Sequence, residues 1–468
     1  MLPKEFKDRM TEMLGEESDA FFSELESGEA VRAFRVNEIK ISAEEFQALD
    51  PEIHKVAASF PCGSYYTEEE YPGSLPCHHA GMIYMQDPSA MATVHAVKVE
   101  KGMKVLDSCS APGGKTTQLA AMVGNEGLVV ANEYEAKRCR VLQGNVERMG
   151  CSNTVVVNLD TAILAKTYPD TFDLVLCDAP CSGEGMFRKN SLAISEWSLD
   201  NVKMCAERQR EILANVAKCV APTGYLIYST CTFSQEENER NVQWFLDEHE
   251  NFELCEVEGA LKAVTADGVP FDGCTVSVEK TRRFYPHVTP GEGQFIALLR
   301  RREEEIFTYK KKTDKEIKKK RDEKPKNMPD VTEAARFLRE NLVEMPKGEL
   351  ISLGGSVYLK PDIALPAYGV FSAGVCVGSV VGKTFVPHHQ LFSAMGAYFK
   401  RQVRLEYGDD RVRQYLKGYE IPTDGLYDGA AGDGFAAVMI SGCAVGGGKV
   451  SGGVCKNHYP KGLRAKQS

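Results

Sequence analysis

Between residues 96 and 302, five apolar runs in succession end on an acid or a thiol. "MKVLDSCS" passes through Asp107, "GLVVANE" ends on Glu133, "TVVVNLD" on Asp160, "FDLVLCD" on Asp178 and "GYLIYSTC" on Cys231. Helix-like segments separate the first three: "TTQLAAMVG", closed by Gly124, and "EAKRCRVLQGNVERMG", closed by Gly150. Strand-like runs alternating with helices specify βαβ units and therefore a parallel sheet. In such a sheet, ligands bind beyond the carboxyl ends of the strands, where strand order reverses. Asp107, Glu133, Asp160, Asp178 and Cys231 are thus expected to share one rim. "FELCEVE" and "GQFIALLR" supply two more strands.

With 468 residues the chain exceeds one ordinary domain. Residues 1–95 read as an accessory α/β region, 96–302 as the α/β core and 303–329 as a basic linker, leaving 330–468 as a Gly-rich, mostly β region. No apolar run reaches membrane-spanning length, and "MLPKEFKDRMTEMLG" lacks a signal-peptide core, so a cytoplasmic protein is expected. A net charge of −10 excludes nucleic-acid binding by the whole surface. The lysine-rich "YKKKTDKEIKKKRDEKPK" reads as a solvated linker, and equally as an arm drawn to phosphates. Fifteen cysteines include no CxxC pair, and Cys177 with Cys181 has no second set to complete a metal site, so no metal is expected.

The loop "CSAPGGKT" fails the phosphate-loop pattern GxxxxGK[ST] because Cys109 stands where the first glycine belongs, and GxGxxG is absent. Gly113 and Gly114 still let the backbone approach a ligand at a helix N-terminus. An acid ending the second strand suits a ribose diol, and an aspartate on the third suits an adenine amino group. Those contacts without a pyrophosphate loop point to S-adenosylmethionine over a dinucleotide or ATP.

Two cysteines leave strand ends. Cys181, in "DLVLCDAPCSGEG", follows Asp178 by three residues in a tight loop. Cys231, in "GYLIYSTCTFSQEENE", precedes a segment that Ser234 and Glu237, three apart, mark as a helix start. A cysteine hydrolase would need a histidine, but the nearest downstream, His249 and His287, sit at no strand exit. A non-catalytic RNA-binding module leaves the rim cysteines unexplained.

"DSCSAPGGKTTQLA", "CDAPCSGEGMFRK" and "YSTCTFSQEENE", with "FRVNEIK" and "YMQDPSAM" upstream, resemble the motifs of the Sun/Nop family of RNA cytosine-5 methyltransferases. "FYPHVTPGEGQFIALLR" and "KVSGGVCKNHYPKGLR" bring the chain nearer to the RsmF-type bacterial ribosomal RNA enzymes. The resemblance spans nearly the whole chain. It implies a Rossmann-like S-adenosylmethionine-dependent methyltransferase core and a PUA-like RNA-binding C-terminal region. It places Cys109, Ser110, Ala111, Pro112, Gly113, Gly114, Lys115, Glu133, Asp160 and Asp178 at the cofactor. It further implies that Cys231 attacks C6 of the cytosine, that Cys181 assists release, and that Asp178 meets the base edge. Lys115 is the candidate for supplying positive charge to the thiols. The implied acceptor is small-subunit ribosomal RNA, with transfer RNA the alternative. One position departs from the pattern: Gly447 stands in the Gly-rich turn "VGGGK" where a tryptophan is expected.

Overall fold

The computed structural model describes residues 2–27, 30–49, 53, 56–57, 63–289, 291–303, 331–382, 384–427 and 432–465. The lysine-rich segment lies outside them.

The core is a sheet of ten strands. In spatial order nine of them run Ala266–Asp267, Arg282–Phe284, Gln294–Arg301, Val220–Thr230, Phe172–Asp178, Lys104–Asp107, Leu128–Asn132, Thr154–Val157 and Val370–Ala373; Phe252–Cys255 also pairs with Gln294–Arg301. The five strands from Val220–Thr230 to Thr154–Val157 are parallel to one another, and Gln294–Arg301 is antiparallel to its neighbour. Runs such as Leu128–Asn132 are buried along their whole length because helices cover both faces. Leu119, Leu142 and Val146 pack on one face, and Leu164, Leu213 and Val216 on the other.

Two helices had no counterpart in the sequence reading. Thr161–Thr167 is capped by Asp160, and Leu199–Val216 by Ser198. The edge strand Val370–Ala373 comes from the C-terminal region and pairs antiparallel with Thr154–Val157, although the reading placed that region wholly outside the core.

The N-terminal helices Lys4–Leu14 and Ser18–Ser27 bury Phe6, Met10, Phe21 and Leu25 against Phe187, Trp197, Phe233 and Tyr285. They therefore lie on the loops that follow Cys181 and Cys231. The next region is a four-stranded antiparallel sheet whose Phe34 and Val36, with Phe46 of helix Ala43–Leu49, share a core with Val403, Leu405, Tyr415 and Val438 of the C-terminal region. Lys40 Nζ reaches Ala444 O at 3.1 Å, so the two ends of the chain meet.

The C-terminal region holds a four-stranded and a five-stranded sheet. Gly447 lies inside strand Cys443–Ser451, opposite Ala437, and not in a turn. A Cβ at this position would lie 2.4 Å from the Phe392 ring, so glycine lets helix His389–Met395 close on the strand where a tryptophan has no room.

Candidate active site

Strand order reverses between Lys104–Asp107 and Phe172–Asp178, which sets a crevice between the loop after Asp107 and the exit at Asp178. The loop is fixed by its own polar atoms. Ser110 donates its amide to Asn132 O at 2.8 Å and its hydroxyl to Asp107 O at 2.7 Å. Arg138 donates to Ala111 O and Asn145 to Pro112 O, both at 2.9 Å. The Cys109 thiol is pushed up by the neighbouring Cys177 thiol and by burial. Gly113 is left-handed at φ 110°, and a Cβ there would lie 3.1 Å from Leu142 Cδ1. Helix Gly114–Val123 therefore begins with amides that no side chain caps, facing the crevice.

The acids on the rim differ in how they are held. Asp107 is buried; Thr116 donates to its Oδ2 at 2.6 Å while Oδ1 has no partner, and burial pushes its pKa to about 7. Glu133 is buried, accepts from Glu135 N at 2.9 Å through Oε1, and faces Arg138 Nη1 at 3.4 Å through Oε2. Asp160 is exposed, three residues past the end of its strand, and Oδ1 caps the next helix through Ala162 N at 2.8 Å. Asp178 accepts from Lys115 Nζ at 2.8 Å, Ser229 Oγ at 2.7 Å and Gln294 Nε2 at 3.1 Å. The Lys115 charge is thus committed to Asp178 and not to either thiol.

Cys181 and Cys231 come together. Their sulfurs stand 3.2 Å apart as free thiols, far longer than a disulfide bond of about 2.05 Å. Bonds between the two loops hold them there: Ser182 Oγ with Thr232 Oγ1 at 2.8 Å, and Gly185 N to Cys231 O at 2.8 Å. The Cys181 pKa is driven well up by the hydrogen bond with Cys231, by desolvation of the sulfur and by the nearby charges of Cys231 and Glu237. Either sulfur can donate to the other across this contact.

The helix start expected at Ser234 and Glu237 does not form. Both side chains turn inward: Ser234 Oγ donates to Glu184 Oε1 at 2.6 Å, Glu237 Oε2 accepts from Ser182 N at 3.0 Å, and the helix begins at Glu239. Tertiary bonds outcompete the local cap. Glu184 also takes Trp197 Nε1 and Phe233 N, each at 2.8 Å. Sequence reasoning passed over Glu184, Gln209 and Gln294 and read Glu237 only as part of a helix start; acids three residues past Cys181 and six past Cys231 were the available signal. His287 faces Glu17 and His249 packs on Phe245, so neither serves a thiol.

Arg35 of "FRVNEIK" donates to Gly114 O at 2.8 Å and Thr117 Oγ1 at 2.6 Å, and Gln86 of "YMQDPSAM" accepts from its Nε at 3.2 Å. The N-terminal region thus braces the crevice loop. Among the described residues no helix is long and apolar enough to cross a membrane, and no cluster of side chains is suited to a metal ion.

Comparison with known proteins agrees with this architecture. Residues 94–300 match the family model of the 16S rRNA methyltransferase RsmB/F, residues 2–88 that of the N-terminal domain of 16S rRNA methyltransferase RsmF, and residues 402–465 that of the methyltransferase RsmF PUA domain. The chain is 30% identical over 457 residues to the ribosomal RNA small subunit methyltransferase F of Vibrio atlanticus, covering 92% of this chain and 91% of that protein. It is 36% identical over 283 residues to the protein of the same name from Serratia proteamaculans, covering 58% and 57%. Among solved structures it is similar to a methyltransferase homologue from Pyrococcus horikoshii, with 28% identity, TM-score 0.56 and coverage of 64% of this chain and 95% of that one. NSun6 of the same organism, solved with SFG, shares the fold at 22% identity and TM-score 0.54, over 64% of this chain and 99% of that one. An α/β methyltransferase sheet, an N-terminal region on its crevice loop and a PUA domain behind it together mean that this chain belongs to the ribosomal RNA small subunit methyltransferase F family.

Proposed function

We propose that the chain methylates C5 of a cytosine in small-subunit ribosomal RNA, with Cys231 as the nucleophile and Cys181 as its partner in release. The observation that carries this reading is the pair of free thiols 3.2 Å apart, one strand exit from Asp178. The rim suits S-adenosylmethionine: its cations Lys115 and Arg138 are already paired with Asp178 and Glu133, which leaves little positive charge to hold a triphosphate and suits a cofactor that is itself cationic. Glu133 would take the ribose diol, Asp160 the adenine amino group, and the uncapped amides after Gly113 the amino-acid carboxylate, with residues 109–115 and Asp178 lining the pocket. Bound there, the cofactor supplies a methyl group on a sulfonium sulfur.

C5 of cytosine is a weak nucleophile, so a thiolate must first add to C6. A neutral Cys181 donating to Cys231 leaves the charge of the pair on Cys231 Sγ, which forms the bond to C6. Asp178 meets the N3 and N4 edge of the base and accepts from its amino group, and Lys115, paired with Asp178, supplies the positive charge that offsets the negative charge developing on the ring. Once C5 is methylated, Cys181, which gives its proton to solvent while Cys231 is tied up in the adduct, takes the C5 proton as the C6–S bond breaks, and the bonding pair returns to Cys231 as its thiolate beside the reprotonated Cys181. The base has to be unpaired or flipped to reach the crevice. The C-terminal region and the lysine-rich segment supply affinity for RNA.

The test is incubation of the protein with labelled S-adenosylmethionine and small-subunit RNA, followed by nucleoside mass spectrometry and bisulfite mapping. Label in 5-methylcytidine at one or a few positions supports the reading. Label in another nucleoside, or only in transfer RNA, refutes the base or the acceptor.

A further inference from the structure

Behind the two thiols lies a buried carboxylate for which the proposed chemistry has no use so far. Glu237 is fully buried; its Oε2 accepts from Ser182 N at 3.0 Å and Gln209 Nε2 at 2.7 Å, while Oε1 is buried without a partner. Gln209 also donates to Pro180 O at 3.0 Å, and its own Oε1 accepts from Tyr228 Oη at 3.0 Å, so one network joins the loop of Cys181 to the strand that ends before Cys231. A glutamine at 237 could accept the same two bonds without burying a charge. What a carboxylate adds over a glutamine in this place is therefore its charge.

We propose that Glu237 is a positioning residue for the reaction: through the Ser182 amide it seats Cys181 against Cys231, and its charge keeps Cys181 a thiol so that Cys231 is the one to ionise. This rests on the reading of Cys231 as nucleophile. The titratable groups facing Glu237 are Glu184 from the turn after Cys181, Cys181 itself, Cys205 from helix Leu199–Val216 and Tyr228 from the central strand. Burial pushes Glu237 to about 7. Its charge therefore grows across neutral pH, the range in which the thiol pair must divide one proton.

The experiment measures alkylation of Cys181 and Cys231 separately, by iodoacetamide labelling from pH 6 to 10 and peptide mass spectrometry on the full chain. In Glu237→Gln the Cys181 profile should move to lower pH, with alkylation about three- to tenfold faster at a fixed pH below its midpoint. Gln209→Leu removes a donor to the same carboxylate, lowers its charge at neutral pH and should shift the profile in the same direction; it keeps the test decisive where Glu237→Gln fails to fold. Superimposable Cys181 profiles in the folded variants and the unsubstituted protein overturn the proposal, because a merely structural carboxylate would leave the thiol's ionisation where it was. Formation of 5-methylcytidine in small-subunit RNA by the unsubstituted protein is scored in parallel. A shifted profile with no 5-methylcytidine formed upholds the charge coupling and refutes the cytosine reading instead.

Discussion

Arg283 and Glu239 form a bidentate ion pair with both side chains at most 1% exposed, Nε to Oε1 at 2.6 Å and Nη2 to Oε2 at 2.5 Å. The pair also holds backbone: Arg283 Nη1 donates to Phe233 O at 2.8 Å, two residues past Cys231, and Glu239 Oε1 accepts from Val269 N at 2.9 Å. Either single variant, Arg283→Met or Glu239→Leu, strands a charge in the interior and should cost about 3–5 kcal/mol, a large share of a typical stability of roughly 5–15 kcal/mol. Added together the singles would cost about 6–10 kcal/mol. The double variant carries no buried charge and leaves only Phe233 O and Val269 N without their partners, at about 1–2 kcal/mol each. It should therefore lose only about 2–4 kcal/mol, a coupling of about 4–6 kcal/mol between the two sites. Urea unfolding followed by tryptophan fluorescence reports on this region, since the only two tryptophans, Trp197 and Trp244, both lie in it. A double variant whose loss equals the sum of the singles to within about 0.5 kcal/mol would refute the reasoning.

In the RNA reaction, Cys181→Ala should trap a covalent protein–RNA band on a denaturing gel while Cys231→Ala and the double variant give none; the trapped band in Cys231→Ala would reverse the two roles. Glu133→Gln, and Asp160→Ser, which retains a helix cap, should each weaken S-adenosylmethionine binding by about 1–3 kcal/mol, and unchanged calorimetric affinity in both would remove them from the cofactor site. Asp107 has its folded pKa raised to about 7 from 3.8, so the folded state holds a proton that the unfolded state loses, and stability falls as pH rises between those values. Asp107→Asn, which can still accept from Thr116, should raise stability by at least about 1 kcal/mol more at pH 8 than at pH 4, and an equal gain at both values would contradict the buried charge.

The sequence was most legible where structure is local. Each parallel strand showed as an apolar run, and its exit was marked because loops at the rim carry polar residues; Asp107, Asp178 and Cys231 were located to within a residue of strand ends. Where partners lie far apart in the chain, the same residues misled. Ser234 and Glu237 satisfy a capping pattern by spacing, but bond to Glu184 and Ser182, about fifty residues earlier. Lys115 belongs to the ligand loop by sequence logic and stands beside a thiol only by conjecture; its neighbour in space is Asp178. Val370–Ala373 was invisible as part of the core because three apolar residues and a serine between Gly369 and Gly374 carry no sign of which sheet they will join.

That last strand has a consequence for how the protein is made. Thr154–Val157 leaves the ribosome with one hydrogen-bonding edge satisfied by Leu128–Asn132, and the chain that completes the other edge is synthesised roughly 210 residues later. At about 5–20 residues per second, the nascent sheet spends on the order of 10–40 s with the unpaired backbone edge of this strand open to any passing strand. Translation speed through the Gly-rich region, and the hold of a chaperone on that edge, thus become determinants of how much of the enzyme reaches its native form.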